Sequence, residues 1–80
     1  MRIKVLLFAS LREIVGASEI VLDVPEGTVE DLLAHLVREH PALRSHLPHV
    51  RVAVNRAFVG PKTPLRPSDE VALLPPVGGG

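Results

Sequence analysis

The stretch TVEDLLAHLVREHP at positions 28–41 decides the fold, because it carries the clearest helix signal in the chain. Its apolar residues recur at the i, i+3, i+4, i+7 and i+8 spacing that forms one stripe along a helix. This stripe comprises Val29, Leu32, Leu33, Leu36 and Val37. Thr28 and Asp31 fit a capping box at the helix start, and Pro41 ends the helix. The stretch therefore predicts one amphipathic helix that buries a single face.

Short stretches of alternating or β-branched residues flank the helix on both sides and predict strands. We place these strands at residues 2–9, 19–24, 50–55, 57–59 and 70–74. A connector at 11–16, closed by Gly16, is expected to hold one helical turn, and 41–47 another. Asn55-Arg56 predicts a tight turn between two of the strands. One helix can cover only one face of a sheet, so the order predicts an α+β fold with about five strands and one main helix.

The composition limits what the chain can be. Its 80 residues allow one domain, and a hydrophobic content of 46% allows that domain a compact core. There is no cysteine, which excludes disulfides, thiolate metal sites and a catalytic thiol. Basic and acidic residues balance at nine each, so the basic excess that drives nucleic-acid binding is missing. No apolar run approaches a membrane span, and we expect a soluble, cytoplasmic protein that binds neither nucleic acid nor membrane.

The alternation in the strands also predicts an apolar surface on the side of the sheet away from the helix. If Leu7 meets the helix, Phe8 points away from it. By the same parity Leu74 points outward from the last strand, and Phe58 joins them from the short strand. An exposed face with these three residues is a candidate docking patch for a partner. The alternative is that a bulge or a curled loop buries them.

The last six residues, PPVGGG at 75–80, differ from the rest of the chain. The two prolines cannot continue a central strand, so we divide the chain into a domain at 1–74 and an extended, flexible tail at 75–80. Gly78, Gly79 and Gly80 lack side chains and can enter a narrow channel in a partner. A terminal carboxylate is unreactive at neutral pH and needs ATP-dependent adenylation before a sulfur donor can convert it to a thiocarboxylate. From the tail alone, a terminus without function is an equally good interpretation.

No catalytic or metal-binding pattern can be defended elsewhere in the sequence. The four histidines have no acidic or thiol partner at a recognised ligand spacing. We therefore interpret them as solvated surface residues. We expect this chain to hold no metal and no cofactor, and to have no catalytic residues of its own.

Three stretches resemble the small subunit of molybdopterin synthase, a sulfur-carrier family with the ubiquitin-like β-grasp fold. They are FASLRE at 8–13, VN at 54–55 and DEVALLPPV at 69–77 followed by glycines. The ending at 75–80 is the most specific of them. Pro67-Ser68-Asp69 departs from the family, because it replaces the glycine-containing turn common before the last strand. In this fold the first and last strands lie side by side in the middle of a mixed sheet.

The resemblance implies that this chain is a protein co-substrate. An activating enzyme uses ATP to adenylate Gly80, and a sulfurtransferase system supplies the sulfur that Gly80 then bears as a thiocarboxylate. The tail enters the large subunit of the synthase, with Gly79 and Gly78 in a channel, while Phe8, Phe58 and Leu74 contact the subunit surface. Two such carriers deliver two sulfurs to precursor Z and form molybdopterin, within a heterotetramer of two copies of each subunit. The catalytic groups belong to the large subunit.

Three other interpretations use the same residues. A sulfur carrier for thiamine thiazole synthesis, or for another sulfur pathway, would share the fold and the activation chemistry. A ubiquitin-like modifier would transfer the whole protein to lysines through the same activated glycine. A plain β-grasp interaction module would have the glycine tail incidentally. The Pro-Pro-Val approach to the tail favours the molybdopterin pathway among the sulfur carriers.

Overall fold

The computed structural model describes residues 1–76, and within them the chain forms five strands and two α-helices. The elements are β1 (Arg2–Leu7), α1 (Ala9–Val15), β2 (Glu19–Asp23), α2 (Val29–Glu39), β3 (Arg51–Val54), β4 (Ala57–Phe58) and β5 (Glu70–Leu74). Two 3₁₀ turns, Pro41–Leu43 and Leu47–His49, connect α2 to β3. All five predicted strands and the main helix are confirmed. Four of the strands are shorter than predicted, since their ends differ by one or two residues.

The strands form one sheet in the order β2-β1-β5-β3-β4. β1 and β5 are neighbours and run parallel, while the other pairs are antiparallel. The first and last strands therefore lie side by side in the middle of a mixed sheet. This is the β-grasp arrangement that the resemblance implied, and the fold prediction is confirmed.

The core lies between the sheet and α2. Val29, Leu32 and Leu36 of α2 are buried, and Leu33 and Val37 pack against the same core while half-buried. The sheet meets them with the alternating apolar residues of its central strands. These are Ile3, Val5 and Leu7 of β1 with Val71 and Leu73 of β5. Burying one such side chain stabilises a fold by about 1.5–3 kcal/mol, so this layer supplies most of the stability of a small domain.

The start of α2 is held by its own capping box and by a loop. Asp31 accepts a hydrogen bond from the backbone N–H of Thr28 at 2.8 Å, and the Thr28 hydroxyl accepts one from the Asp31 N–H at 3.4 Å. The next two free N–H groups, on Val29 and Glu30, donate to carbonyls of the 60–68 loop at 2.9 Å each. The predicted cap is confirmed, and the loop satisfies the donors that a helix start leaves open.

The connector at 11–16 is a two-turn helix, and the prediction of a single turn was too short. α1 begins at Ala9, which the sequence pattern assigned to the first strand. Phe8 keeps extended backbone angles, whereas Ala9 has a φ of 49°, and this break ends the strand. Gly16 closes the helix in the left-handed conformation with a φ of 85°, as expected of a C-terminal glycine. Leu11 is fully buried and fixes α1 to the core.

Asn55 links the β3–β4 hairpin to the start of β5. Asn55 and Arg56 have φ values of 49° and 73°, which form the predicted tight turn. The Asn55 side chain donates to Asp69 Oδ1 at 2.9 Å and accepts from the Glu70 N–H at 3.0 Å. These two bonds give the Val54-Asn55 motif a structural role, because they fix β4 relative to the central strand.

Candidate functional site

The surface of the sheet opposite α2, here called the outer face, carries a row of small and apolar residues. Leu6 of β1 pairs with Ala72 of β5, Ala72 pairs with Ala53 of β3, and Ala53 pairs with Phe58 of β4. Directly paired residues share a face, so these four cross the sheet in one line. The two alanines keep the middle of this line shallow, while Leu6 and Phe58 stand at either side.

Phe8 lies at the end of the outer face where the chain leaves β1. Its backbone is still extended, so its side chain points to the same side as that of Leu6. The chain then turns at Ala9 into α1, and the Phe8 ring stays 43% exposed. The register that pairs Leu7 with Leu73 brings Phe8 to the level of Leu74.

Phe58 stands on the other side of the outer face and is 57% exposed. The tight turn at Asn55 and Arg56 folds β4 against β3, which places the Phe58 ring beside the first residue of β3. That residue is Arg51, whose guanidinium carbon lies 4.0 Å from the centre of the ring. A cation over an aromatic face at this distance is attracted by the ring and restricts how both side chains move.

Leu74 completes the group of predicted docking residues. It ends β5, is half-buried, and pairs directly with Arg51 of the neighbouring strand β3. The structure thus places Phe8, Phe58 and Leu74 on the outer face, around the point where the tail begins, and within residues 1–76 no bulge or loop covers the two phenylalanines. We call Phe8, Arg51 and Leu74 the tail end of this face. The docking role of these residues stays a prediction.

The charges of the outer face are distributed unevenly. Lys4 and Glu19 form an exposed pair at 3.9 Å, and Glu70 lies directly opposite Lys4 on β5. Glu70 begins β5 and Leu74 ends it, so the strand separates Glu70 from the tail end by about 13 Å. The tail end carries the cation Arg51 instead. The face therefore has a far end of mixed charge, where Lys4 lies between Glu19 and Glu70, an apolar middle and a basic tail end.

The tail begins at the end of the central strand of the sheet. β5 is bonded to β1 on one side and to β3 on the other, and Pro75 and Pro76 follow it directly. The predicted sulfur-bearing residue Gly80 and the predicted channel residues Gly79 and Gly78 lie outside the described residues. The structure shows that the tail starts after Leu74, beside Phe8 and Arg51 on the outer face.

The histidines do not form a site in the part of the chain that the structure describes. His35 lies 3.7 Å from Glu39 on α2, whereas His46 precedes the second 3₁₀ turn and His49 ends it. Within residues 1–76, no group of three or more histidine and acidic side chains could hold a metal ion. No helix over the same residues is long and apolar enough to cross a membrane.

Sequence reasoning did not single out Arg51 or Val21. The parity that directs Val52 inward also directs Arg51 outward, so its face could have been inferred. Its contact with Phe58 depends on the hairpin register, which the sequence does not specify. Val21 is 53% exposed on the outer face of the edge strand β2, beside Lys4.

Comparisons with known proteins agree with this geometry. A family model described as the ThiS family matches residues 5–80. The molybdopterin synthase sulfur carrier subunit of Chlamydomonas reinhardtii is 43% identical to this chain, with each protein covered over 100% of its length. The subunit of the same name from Escherichia coli K12 is 44% identical, with 98% of this chain and 99% of that protein covered.

Solved structures match as well. The crystal structure of SAMP1 from Haloferax volcanii superposes with a TM-score of 0.90 at 35% identity, covering 100% of both chains. A chain in a Helicobacter pylori structure, described as the complex of subunits 1 and 2 of molybdopterin-converting factor, superposes with a TM-score of 0.74 at 26% identity over 100% of both chains. The matches extend over the domain and the tail alike.

Proposed function

The chain belongs to the ThiS family, and from that premise we propose that it is the sulfur carrier subunit of molybdopterin synthase. The observation that carries the proposal is the 43% identity to a sulfur carrier subunit over the whole of both chains. The fold is consistent with a carrier, because its central strand leads directly into the glycine tail. The apolar outer face surrounds the same point.

The chemistry of the proposed carrier takes place at one carboxylate. A Gly80 carboxylate oxygen attacks the α-phosphate of ATP on an activating enzyme, which forms an acyl adenylate and releases pyrophosphate. Sulfur that the sulfurtransferase system releases at the sulfide level, as hydrosulfide, then attacks the acyl carbon, the carbon–oxygen bond to the adenylate breaks, and AMP leaves with loss of a proton from the new thioacid. The product is a thiocarboxylate, whose sulfur passes to precursor Z during molybdopterin synthesis. ATP is therefore a substrate of the activating enzyme, and the carrier itself holds no cofactor.

The contribution of this chain is to hold and present the tail. Since β5 is bonded on both sides, the root of the tail at Leu74 is fixed relative to the outer face. Six residues from Pro75 to Gly80 reach about 20 Å when extended, which suits a partner whose active site lies behind a channel. Gly78 and Gly79 would occupy that channel, because a side chain there would widen the tail.

The proposed partner is the large subunit of the synthase, in a cytoplasmic heterotetramer with two copies of each subunit. The Helicobacter pylori structure is described as a complex of subunits 1 and 2 of molybdopterin-converting factor. It therefore supports a pair of this kind. Phe8, Phe58 and Leu74 would contact the large subunit, because they are the apolar residues around the tail root. The catalytic groups would then belong to the large subunit.

Mass spectrometry tests the sulfur-carrier chemistry directly. The protein is incubated with ATP, its activating enzyme and a sulfur source, and the expected result is the replacement of one oxygen by sulfur at Gly80. A variant without Gly79 and Gly80 is the control, and it should show no such change while keeping its melting temperature. An unchanged mass for the full chain, with an activating enzyme that modifies a known carrier, would refute the proposal.

A second candidate function is protein modification. It is favoured by the similarity to SAMP1, a small archaeal modifier protein, at a TM-score of 0.90. A modifier would use the same adenylated glycine but would end in isopeptide bonds to lysines of other proteins. Proteomic detection of the Gly80 remnant on several proteins, together with normal molybdopterin synthesis in a strain lacking this chain, would favour modification over sulfur transfer.

A further inference from the structure

Arg51 has an unusual position for a basic residue, since it lies among the apolar residues that surround the tail root. It is the first residue of β3, pairs directly with Leu74, and stacks on Phe58. Two of the three proposed docking residues therefore contact or adjoin it. Any partner that covers Phe58 and Leu74 must also cover the Arg51 guanidinium.

The hydrogen-bond donors of Arg51 have no acidic partner among the described residues. The three ion pairs found within residues 1–76 join Lys4 to Glu19, His35 to Glu39 and Lys62 to Glu30. A guanidinium is always charged at physiological pH and carries five N–H donors in one plane. Covering it without an acceptor would be costly, because a desolvated charge needs a hydrogen-bonded counter-charge.

The stacking on Phe58 prepares Arg51 for one kind of acceptor. The guanidinium carbon lies 4.0 Å from the centre of the ring, so the ring shields one side of the group and leaves N–H donors available on the others. A carboxylate binds a guanidinium through two parallel hydrogen bonds. Because the stacking already restricts the side chain, less conformational entropy is lost when the carboxylate binds.

The uneven charge of the outer face adds an orientation. A partner carboxylate placed over Arg51 lies about 13 Å from Glu70 along β5. If the partner were turned round on the same face, that carboxylate would instead meet Lys4, which is already paired with Glu19 at 3.9 Å and lies opposite Glu70. A cation flanked by two carboxylates attracts a third only weakly, whereas Arg51 has no such neighbours among the described ion pairs, so the orientation over Arg51 is favoured.

We propose that Arg51 is the charged anchor of the outer face, and that it binds an aspartate or glutamate carboxylate on the large synthase subunit. This pair fixes the orientation of the carrier, so that the tail starting at Leu74 points at the partner's channel. The proposal rests on the proposed function, because it takes the large subunit as the protein that covers Phe58 and Leu74.

Binding measurements with four purified variants test the anchor. The affinity of the full chain for the large subunit is measured by calorimetry for the wild type and for Arg51→Glu, Arg51→Lys, Arg51→Gln and Arg44→Glu. Arg44→Glu makes the same charge change on the other side of the molecule, where Arg44 lines a groove beside α2. Thermal melting of each variant checks the fold, and Arg51→Gln replaces Arg51→Glu in the comparison if the reversed charge unfolds the protein.

The expected losses of affinity differ in a fixed order. Arg51→Glu should weaken binding about 100-fold or more, since it places two carboxylates together. Arg51→Lys keeps the charge but loses the paired hydrogen bonds and the contact of the guanidinium with the Phe58 ring, and about a tenfold loss is expected. Arg44→Glu should change affinity by no more than about twofold. Added salt should weaken the wild type more than Arg51→Gln, because only the wild type keeps the ion pair.

Two results would overturn the inference, and they can be told apart. If the wild type binds the large subunit and Arg51→Glu binds as Arg44→Glu does, the anchor is wrong while the carrier function stands. If the wild type itself fails to bind a folded large subunit, the proposed function fails, and the anchor fails with it.

Discussion

The two sides of the single strand β5 show how this small domain divides its surface. Val71 and Leu73 point to α2 and are fully buried, whereas Ala72 and Leu74 alternate with them on the outer face and are half-buried. All four belong to a five-residue strand in the centre of the sheet. The period of two thus separates the residues that stabilise the fold from those that remain for a partner, with no extra chain needed for either.

Replacing Leu73 on the inner face of β5, and its neighbour Leu74 on the outer face, should give the largest difference in stability. Leu73→Ala leaves a cavity in the core and should lower the free energy of unfolding by about 2–5 kcal/mol. In a domain of this size each kcal/mol corresponds to roughly 4–8 °C in melting temperature, so thermal melting measures the loss easily. Leu74→Ala is the matched control. It should cost far less stability but weaken binding to the large subunit, and equal melting temperatures for the two variants would contradict the division between the faces.

A charge on the outer face should affect binding and leave the fold intact. Phe8→Glu places a carboxylate where the proposed partner excludes water, and the expected loss of binding free energy is about 2 kcal/mol or more. The ring is already 43% exposed, so the melting temperature should stay within a few degrees of the wild type. Val21→Glu is the control, because it changes an exposed residue of the same face away from the tail end. If Phe8→Glu unfolds the protein, Phe8 belongs to the core.

The sequence predicted the inner side of the molecule better than the outer side. The helix at 29–39 combined a strong apolar period with a capping box, and both signals depend only on nearby residues. The burial of Val5, Leu7 and Leu73 followed from alternation alone. These features are local, so they can be derived without knowing which strands are neighbours.

The features that the sequence missed depend on longer-range geometry or on a weak local signal. The length of α1 was underestimated because its N-cap residue, Phe8, makes no side-chain cap hydrogen bond, and because nothing in the sequence marks the positive φ of Ala9. The contact between Arg51 and Phe58 requires the exact hairpin register. The order of the strands came from the family resemblance, since periodicity does not say which strands pair.

The capping box of α2 allows a prediction that depends on pH. Hydrogen bonds from the Thr28 backbone and side chain hold the pKa of Asp31 below its usual value of 3.8. A carboxylate with a lowered pKa contributes stability above its unfolded pKa and loses it as the pH falls through the folded pKa. Thr28→Ala should cost about 1 kcal/mol at neutral pH. The difference from the wild type should shrink below pH 3.8 as Asp31 protonates, which urea titrations over a pH series would measure.

A constant difference at all pH values would show that the Thr28 hydroxyl acts without Asp31. Thr28→Ser keeps a hydroxyl at the same position and serves as the control. It should retain most of the stability and the same dependence on acid.

The smallest expected effect concerns the turn that leads into β5. Asp69 donates its backbone N–H to the Arg66 carbonyl at 3.1 Å, and Ser68 has a φ of 71° at the third position of this turn. Pro67 at the second position and a positive φ at the third are the pattern of a type II turn, which favours glycine at the third position. A serine side chain in the left-handed region costs about 1–2 kcal/mol. The chain therefore carries local strain beside the strand that holds the tail.

Ser68→Gly should remove this strain and raise the free energy of unfolding by about 0.5–1 kcal/mol, because part of the gain is lost to the greater freedom of glycine in the unfolded chain. The Ser68 N–H donates to the Arg2 carbonyl at 3.0 Å, and glycine keeps that donor. Ser68→Ala is the control, since it removes the hydroxyl but keeps the Cβ, and it should not stabilise the protein. Urea denaturation of both variants and the wild type measures these differences in the free energy of unfolding. If alanine stabilises as much as glycine does, the hydroxyl and not the backbone conformation is the source of the strain.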